Sequence, residues 1–262
     1  MILVLIIAVT AALSIVMTAA WAVQRITHNA GWVDTIWTFG VGAAGIAYAL
    51  APISGVAWPG PRQLLVGALI AAWSLRLGSH LAERTRRGPE DTRYARFRID
   101  WGASFEVRMF RFLQIQAAAA AFLAVTVLAA ARHPAPLGLG DLAGLFVFVI
   151  AIAGETLADW QLGRFRRDPA HRGQICDRGL WHWSRHPNYF FEWLGWLAYP
   201  LIAIDLSGHY LGGWFALTGP AFMYVLLVHV SGIPPLEAQM LRSRGDAFRA
   251  YQARTRAFLP LP

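Results

Sequence analysis

The sequence predicts an all-α integral membrane protein that crosses the bilayer seven times, with its N-terminus outside and its C-terminus in the cytoplasm. Three observations support this prediction. The 262-residue chain is 56% hydrophobic and has a mean hydropathy of +0.43, which is too apolar for a soluble domain of this size. Seven stretches are apolar and long enough to cross the hydrocarbon core as helices. The basic residues fall almost entirely on one side of those stretches.

The predicted spans follow one another through the whole chain. They cover residues 1–23, 32–50, 63–82, 112–131, 140–160, 190–204 and 209–230. The first has the length of a signal peptide, but no basic region precedes it and Arg25 follows it, so we expect a retained helix. The sixth is the shortest and contains Pro200, which weakens the helical pattern there.

Arginine placement sets the predicted orientation. All 23 basic residues are arginine, and 20 of them lie on one side of a seven-span chain. These 20 occupy the segments 24–31, 83–111, 161–189 and 231–262. Only Arg62 and Arg132 fall on the other side, and Arg76 lies inside the third span. Basic residues accumulate in cytoplasmic loops, so the arginine-rich side is predicted to be cytoplasmic.

A single membrane domain is predicted for residues 1–262, with its functional site on the cytoplasmic side. The loops 83–111 and 161–189 and the tail 231–262 carry most of the polar side chains. The outer connections 52–61 and 134–140 are short and nearly uncharged, and we expect simple turns there.

One segment concentrates hydrogen-bond donors, cations and flat rings directly before a predicted span. It reads Arg178-Gly-Leu-Trp-His-Trp-Ser-Arg-His-Pro-Asn-Tyr-Phe-Phe-Glu192. Such a set, held at a bilayer surface, suits a bulky anionic cofactor with an aromatic end. The segment therefore favours an enzyme over a scaffold.

Six ionisable residues also enter the spans in their cytoplasmic half. They are Asp34, Arg76, Glu155, Asp159, Glu192 and His229. Charges within a bilayer are expensive and normally face a polar interior, so we expect a pocket between the helices that opens to the cytoplasm. Simpler roles remain open. Glu155 and Asp159 are also suited to pairing with Arg76, Asp34 to anchoring its helix, and most loop arginines to setting topology or binding anionic lipid headgroups.

Several classes of site are disfavoured. The chain has no glycine-rich dinucleotide fingerprint and no phosphate loop, so the common soluble nucleotide folds are excluded. A single cysteine, Cys176, excludes a disulfide framework, and the histidines lack metal-ligand spacing, so no metal is expected. No nucleic-acid partner is predicted; the expected partners are membrane lipids and a lipid substrate. Oligomeric state is left open.

The residues resemble a known family, the membrane steroid 5-alpha-reductases, and above all their bacterial relatives of the DUF1295 group. The resemblance covers nearly the whole chain. It rests on Val33-Asp34-Thr-Ile-Trp37, Arg87-Gly-Pro-Glu-Asp91-Thr-Arg93-Tyr94, Asp159-Trp-Gln-Leu-Gly-Arg-Phe-Arg166, Arg178-Gly-Leu-Trp181, Pro187-Asn-Tyr189, Phe248-Arg-Ala-Tyr251 and Phe258-Leu-Pro260. It implies a seven-helix protein, in a bacterial inner membrane, that uses NADPH to reduce a carbon–carbon double bond conjugated to a ketone.

The resemblance also implies where NADPH binds. Its positions fall on Asp159, Arg166, Asn188, Tyr189 and Glu192. Weaker matches or physically suited neighbours complete the expected cofactor-binding set, namely Arg76, Arg93, Arg185, His186, Glu237 and Tyr251. Asn188 offers both a donor and an acceptor to a carboxamide, and arginines suit phosphates.

One departure from the family affects the substrate end. Animal-type relatives grip the steroid ketone with a Gln-Glu pair and a Tyr, whereas this chain lacks the pair and has Trp73 at the Tyr position. Asp34, kept protonated by burial, is the predicted donor to the ketone of a 3-oxo-Δ4 steroid or similar lipid enone, and Tyr94 is the second choice.

Two other readings stay open. Arg185-His-Pro-Asn-Tyr189 also resembles the isoprenylcysteine and phospholipid methyltransferases, which bind S-adenosylmethionine. A non-catalytic sterol-binding or transporter-like protein would bind lipid but no nucleotide. The arginine surplus and the match over the N-terminal half favour the reductase.

Overall fold

The computed structural model describes residues 2–53, 55 and 58–260, and that part of the chain is helical, with no strand. Its α-helices, labelled α1 to α12, span Ile2–Thr27, Gly31–Ala49, Pro61–Arg87, Thr92–Trp101, Phe105–Ala131, Leu139–Arg167, Leu180–Trp183, Pro187–Trp196, Ala198–Ala203, Thr218–Tyr224, Ile233–Arg244 and Asp246–Arg254. Short 3₁₀ turns precede α5, follow α6 and precede α10, and the π-helical turn Val225–Val230 follows α10. The all-α prediction is confirmed.

Five helical stretches are long and apolar enough to cross a membrane. They are Ile2–Thr27, Pro61–Arg87, Thr92–Ala131, Leu139–Arg167 and Leu211–Arg244. The fold is therefore compatible with a multi-pass membrane protein. The predicted spans 32–50 and 190–204 are also helical, as α2 and as α8 with α9, but they are not among these five.

Helix α2 is a core helix, which explains its modest hydropathy. It packs against α1, α3 and α5 through small residues. A Cβ atom added to Gly42 would lie 2.1 Å from the Ser74 hydroxyl, and one added to Gly45 would lie 2.6 Å from the Ile70 side chain. Small residues that let helix backbones approach are typical of helix interfaces in membranes. Glycine thus replaces the leucine and isoleucine that a lipid-facing span would carry.

The sixth predicted span is broken into two helices. Helix α8 ends at Trp196 and α9 begins at Ala198, so Leu197 forms the break. Proline has no backbone N–H, and Pro200 therefore cannot donate to the carbonyl four residues earlier, at Trp196. Both pieces pack on the same neighbour, α6.

Three helices run further than hydropathy predicted. Helix α3 continues to Arg87, α5 begins at Phe105, and α6 continues to Arg167. Hydropathy marks only the part of a helix that lies in hydrocarbon. Arginine is a good helix former, so the arginine-rich turns continue these helices beyond the apolar stretch.

The connections 52–61 and 134–140, predicted as simple outer turns, lead to the two partners of a buried ion pair. Arg62 donates to both carboxylate oxygens of Asp141, at 2.7 and 2.6 Å. It also donates to the carbonyls of His133 and Pro136, at 2.7 and 2.9 Å. Arg62 therefore fastens the start of α3 to the start of α6 and to the end of α5. Residues 54, 56 and 57 of the first connection lie outside the described residues.

Candidate functional site

Helix α3 presents a polar stripe to the interior of the arginine-rich half. Trp73, Arg76, His80 and Arg84 are three or four residues apart, so they lie on one face of the helix. Each contacts an acid from another element, as described below. The stripe organises the sequence-predicted residues into two clusters.

The first is the inner acid cluster, formed by Arg76, Glu155, Asp159 and Glu192. Arg76 makes ion pairs with both Glu155 and Asp159, and its side chain is only 14% exposed. Asn188 donates to Asp159 over 3.4 Å. The structural pairing that the sequence left open is therefore formed. Because this contact is long, the Asn188 amide keeps most of its capacity to donate and accept other hydrogen bonds.

Glu192 is held by two tryptophans rather than by a cation. Trp73 Nε1 donates to its carboxylate at 2.9 Å, and Trp196 Nε1 also donates to it at 2.9 Å. The two indole rings meet edge to face with centroids 5.1 Å apart. Trp73, predicted to stand where animal-type relatives have a ketone-binding Tyr, therefore already uses its single donor on Glu192.

The inner acid cluster carries more acids than bases. The cluster contains three carboxyl groups but one arginine, Arg76, which pairs with two of them. The His80 ring lies 3.7 Å from Asp159. Glu155 and Glu192 are both buried. Unneutralised charges in such a place are costly, so the cluster favours holding a proton or binding a cationic group.

The second is the Asp34 cluster, formed by Asp34, Arg84, Asp91, Arg93 and Tyr94. The Asp34 carboxylate accepts hydrogen bonds from the Arg93 guanidinium and, at 2.6 Å, from the Tyr94 hydroxyl. Tyr94 is only 2% exposed, and the Asp34 side chain is 19% exposed. The two predicted catalytic residues are thus in direct contact. Asp34 is therefore the acceptor in both of its closest contacts, one from a guanidinium and one from a phenol.

Asp91 positions this cluster from the start of α4. Its carboxylate caps the helix by accepting from the Arg93 backbone N–H at 3.0 Å. It also pairs with the side chains of Arg93 and Arg84, at 3.0 and 3.1 Å. Burial acts to raise the pKa of Asp91, but the hydrogen bonds and charge of Arg93 outweigh it and hold that pKa below its ordinary value.

Four of the predicted cofactor residues form a tail lock instead, which joins the segment before α8 to the C-terminal tail. Glu237 accepts from Arg185 at 2.7 Å and lies 2.9 Å from His186 Nε2. The Tyr251 hydroxyl donates to the Trp181 carbonyl, and Arg185 N–H donates to the Arg256 carbonyl at 2.9 Å. We call this set the tail lock; it consists of Arg185, His186, Glu237 and Tyr251. Their polar groups bond one another or backbone carbonyls.

Tyr189 and Arg166, the remaining predicted residues, lie at the edges of the two clusters. Tyr189 stacks on His186 with ring centroids 5.4 Å apart, and the charges of Arg93 and Arg84 act on its hydroxyl. Arg166 is exposed, and within the described residues its side chain makes no ion pair or hydrogen bond. The charges of Arg84 and Arg244 reach it. Arg166 therefore lies within electrostatic reach of two other arginines, and such a group suits a polyanion.

Sequence reasoning missed two site residues that simple spacing identifies. Trp196 follows Glu192 by four residues, one turn further along the same face of the helix, which places its indole beside the carboxylate. His80 lies four residues from both Arg76 and Arg84 and completes the stripe on α3. A tryptophan or a lone histidine is an ordinary residue at a membrane interface, so neither residue type indicates a site by itself.

In the described residues the fold and site define a class first: an all-helical protein with several helices long and apolar enough to span a membrane, and with buried acids and arginines clustered at their arginine-rich ends. The comparison of sequences then gives the family. The family described as "Protein of unknown function (DUF1295)" matches residues 20–255, so this chain belongs to the DUF1295 family. The chain is also similar to an uncharacterized protein of Schizosaccharomyces pombe, 26% identical over 269 residues, which cover 92% of this chain and 75% of the relative. No solved structure matches the chain significantly.

Proposed function

We propose that this protein is an NADPH-dependent reductase of the steroid 5-alpha-reductase type, which reduces the double bond of a 3-oxo-Δ4 steroid or a similar lipid enone. The observation that carries the proposal is the contact between Asp34 and Tyr94 beside the inner acid cluster. It provides an acid–phenol pair for a ketone next to Asp159, Asn188 and an arginine group for a nucleotide. Membership of the DUF1295 family supports the same assignment.

The proposed topology has seven crossings, with the N-terminus outside and the site facing the cytoplasm. The five apolar stretches are supplemented by α2, shielded from lipid by its neighbours, and by the broken pair α8–α9. The arginine asymmetry supports this orientation, because both clusters lie on the arginine-rich side.

The residues present fit a dinucleotide. The Asn188 amide has donor and acceptor capacity for a carboxamide, and Asp159 can accept from a ribose hydroxyl. Arg166, free of protein partners in the described chain, would hold phosphate together with its neighbours Arg84 and Arg244. NADPH bound there would supply the hydride.

In the proposed reaction, Tyr94 rather than Asp34 donates to the ketone. Asp34 accepts from both Arg93 and Tyr94, whereas the Tyr94 hydroxyl is a donor that can turn from Asp34 to the ketone oxygen. Arg93 remains paired with Asp34, so the carboxylate keeps one strong partner when it loses the hydrogen bond from Tyr94. Because Tyr94 is buried, the ketone reaches the pair from the more exposed Asp34 side. As hydride adds to the β-carbon, the phenol stabilises the enolate, and water then protonates the α-carbon.

Cofactor binding tests this proposal separately from turnover. NADPH should raise the melting temperature of the purified protein in detergent, because a ligand that binds only the folded state stabilises it. Asn188→Ala and Arg166→Gln should each reduce the shift. Gln239→Ala, which removes an amide that bonds only Thr92, should keep it. A shift that is absent in the wild type, or equal in all variants, would contradict the assigned site.

One observation favours a second candidate, the S-adenosylmethionine-dependent methyltransferase. The inner acid cluster has three carboxyl groups for one arginine, and this surplus suits a positively charged sulfonium. The same melting experiment separates the candidates. Stabilisation by S-adenosylmethionine, with none by NADPH, would replace the reductase with the methyltransferase.

A further inference from the structure

A cavity of about 430 Å³ opens at the arginine-rich end of α6, on a different face of that helix from Asp159. Its walls include Trp160, Arg164 and Arg178. At 3.6 residues per turn, Trp160 and Arg164 lie about 100° and 140° around α6 from Asp159. Arg166, by contrast, lies only about 20° from Asp159. The cavity and the proposed nucleotide-binding residues are therefore on different faces of the same helix.

The lining of the cavity is both aromatic and cationic. The Arg164 guanidinium lies 5.5 Å from the centre of the Trp160 ring. Phe165 and His171 stack with centroids 4.3 Å apart and form one wall. Arg164 and Arg178 are exposed, and neither forms an ion pair within the described residues. The one acid of the lining, Asp168, lies 3.4 Å from His171. The cavity thus has two arginines available to an anion.

An exposed apolar stripe on α6 leads directly to this cavity. Leu142, Phe146 and Leu157 are all exposed. Together with Trp160 and Arg164 they fall within an arc of about 60° around the helix. A molecule that lies along this face therefore meets aliphatic and aromatic side chains first, then an interfacial tryptophan, and then two cations. This order matches the acyl chains, glycerol region and phosphate of a phospholipid.

We propose that the cavity binds the headgroup of an anionic phospholipid, whose acyl chains lie along the part of the α6 stripe nearest to Trp160. The phosphate sits between Arg164 and Arg178, and Trp160 packs at the level of the glycerol esters. A free phosphate would satisfy the arginines but would leave the stripe unused. The occupant is therefore a lipid of the surrounding membrane rather than a soluble anion.

Lipid titration of the delipidated full-length protein in detergent tests the proposal. Phosphatidylglycerol should raise the melting temperature more than phosphatidylcholine does. The double variant Arg164→Gln/Arg178→Gln should weaken phosphatidylglycerol binding by roughly fivefold per arginine, because each cation near a lipid headgroup contributes about that much. Arg249→Gln removes an equal charge from the exposed face of α12 and should bind normally. Arg164→Lys/Arg178→Lys keeps the charge and should retain most of the binding.

Three results would overturn the proposal. Equal shifts with phosphatidylglycerol and phosphatidylcholine would remove the role of charge. An equal shift with inorganic phosphate would remove the role of the acyl chains. Loss of the NADPH-induced shift in the arginine double variant, with lipid binding unchanged, would assign the cavity to the cofactor instead.

Discussion

At the scale of single residues, the bonding of Asp34 decides how a ketone can be polarised. The carboxylate accepts from Arg93 and from Tyr94, so it is an acceptor in the structure. Trp73 donates its single indole N–H to Glu192, so it has no further donor for a ketone. Tyr94 is therefore the residue whose hydroxyl group the proposed chemistry requires.

Removal of that hydroxyl should separate chemistry from cofactor binding. Tyr94→Phe keeps the ring that packs against Phe97 but loses the bond to Asp34. We expect kcat to fall by roughly 10²-fold, as for loss of an oxyanion donor, with the NADPH-induced melting shift retained. Tyr210→Phe, which removes a hydroxyl that donates to the Ala129 carbonyl on the outer side, is the control. Unchanged kcat in Tyr94→Phe would exclude this role.

His186 of the tail lock should make stability depend on pH. Burial lowers the pKa of His186 below its ordinary value of 6.5, although the Glu237 carboxylate acts in the opposite direction and the Arg185 charge adds to the lowering. The unfolded chain then binds the proton more readily than the folded one, so stability is lost as the pH falls below about 6.5. His186→Gln should flatten the decline in melting temperature between about pH 7.5 and about pH 5.5. An unchanged slope would contradict this assignment.

At the scale of helices, the site depends on how α3 is held between its neighbours. At one end, its polar stripe pairs with acids from α2, α6 and α8. At the other end, Arg62 fastens it to Asp141 of α6. Both partners in this second contact are buried, at 7% and 6% side-chain exposure. The Arg62–Asp141 pair therefore ties α3 to α6 at the ends opposite to the two clusters.

Breaking the outer ion pair should cost far more than breaking a surface pair. Asp141→Asn leaves the Arg62 charge buried without its carboxylate, and such a loss typically destabilises by about 3–5 kcal/mol. Arg249→Gln, which removes an exposed pair with Asp246, should cost at most about 1 kcal/mol. Thermal or chemical unfolding in detergent measures both. Equal, small effects would show that Arg62 finds sufficient partners in the His133 and Pro136 carbonyls alone.

The sequence predicted the helices better than their contacts, for a physical reason. Hydropathy and arginine placement depend on each residue's own transfer free energy, so they located the apolar helices. A lone arginine inside a span has to pair, and so the partners of Arg76 could be foreseen. The bond between Trp73 and Glu192 joins residues 119 positions apart. The residues around Trp73 give no indication that its indole bonds Glu192, so this bond could not be predicted. The Arg62–Asp141 pair could not be predicted either, because the connections next to these residues carry little net charge.

At the scale of the whole molecule, two charge patterns point to different cofactors. The loops and tail carry an excess of arginine, and the chain has a net charge of +8, which favours a phosphate-bearing cofactor. The inner acid cluster has the opposite balance, with three carboxyl groups for one arginine. The reductase proposal assigns the arginines to the phosphates of NADPH and Asp159 to a ribose hydroxyl. Glu155 and Glu192 remain bonded to Arg76 and to the two tryptophans.

Steroid-dependent oxidation of NADPH tests this central claim most directly. The measurement follows the absorbance of the reduced nicotinamide with purified protein in detergent, before and after addition of testosterone or progesterone. The proposal predicts NADPH consumption that requires the steroid, is lost in Asn188→Ala and is strongly reduced in Tyr94→Phe. Failure of every enone steroid to support consumption by protein that binds NADPH would contradict the steroid assignment. Methylation of a lipid acceptor by S-adenosylmethionine, without NADPH binding, would contradict the reductase assignment itself.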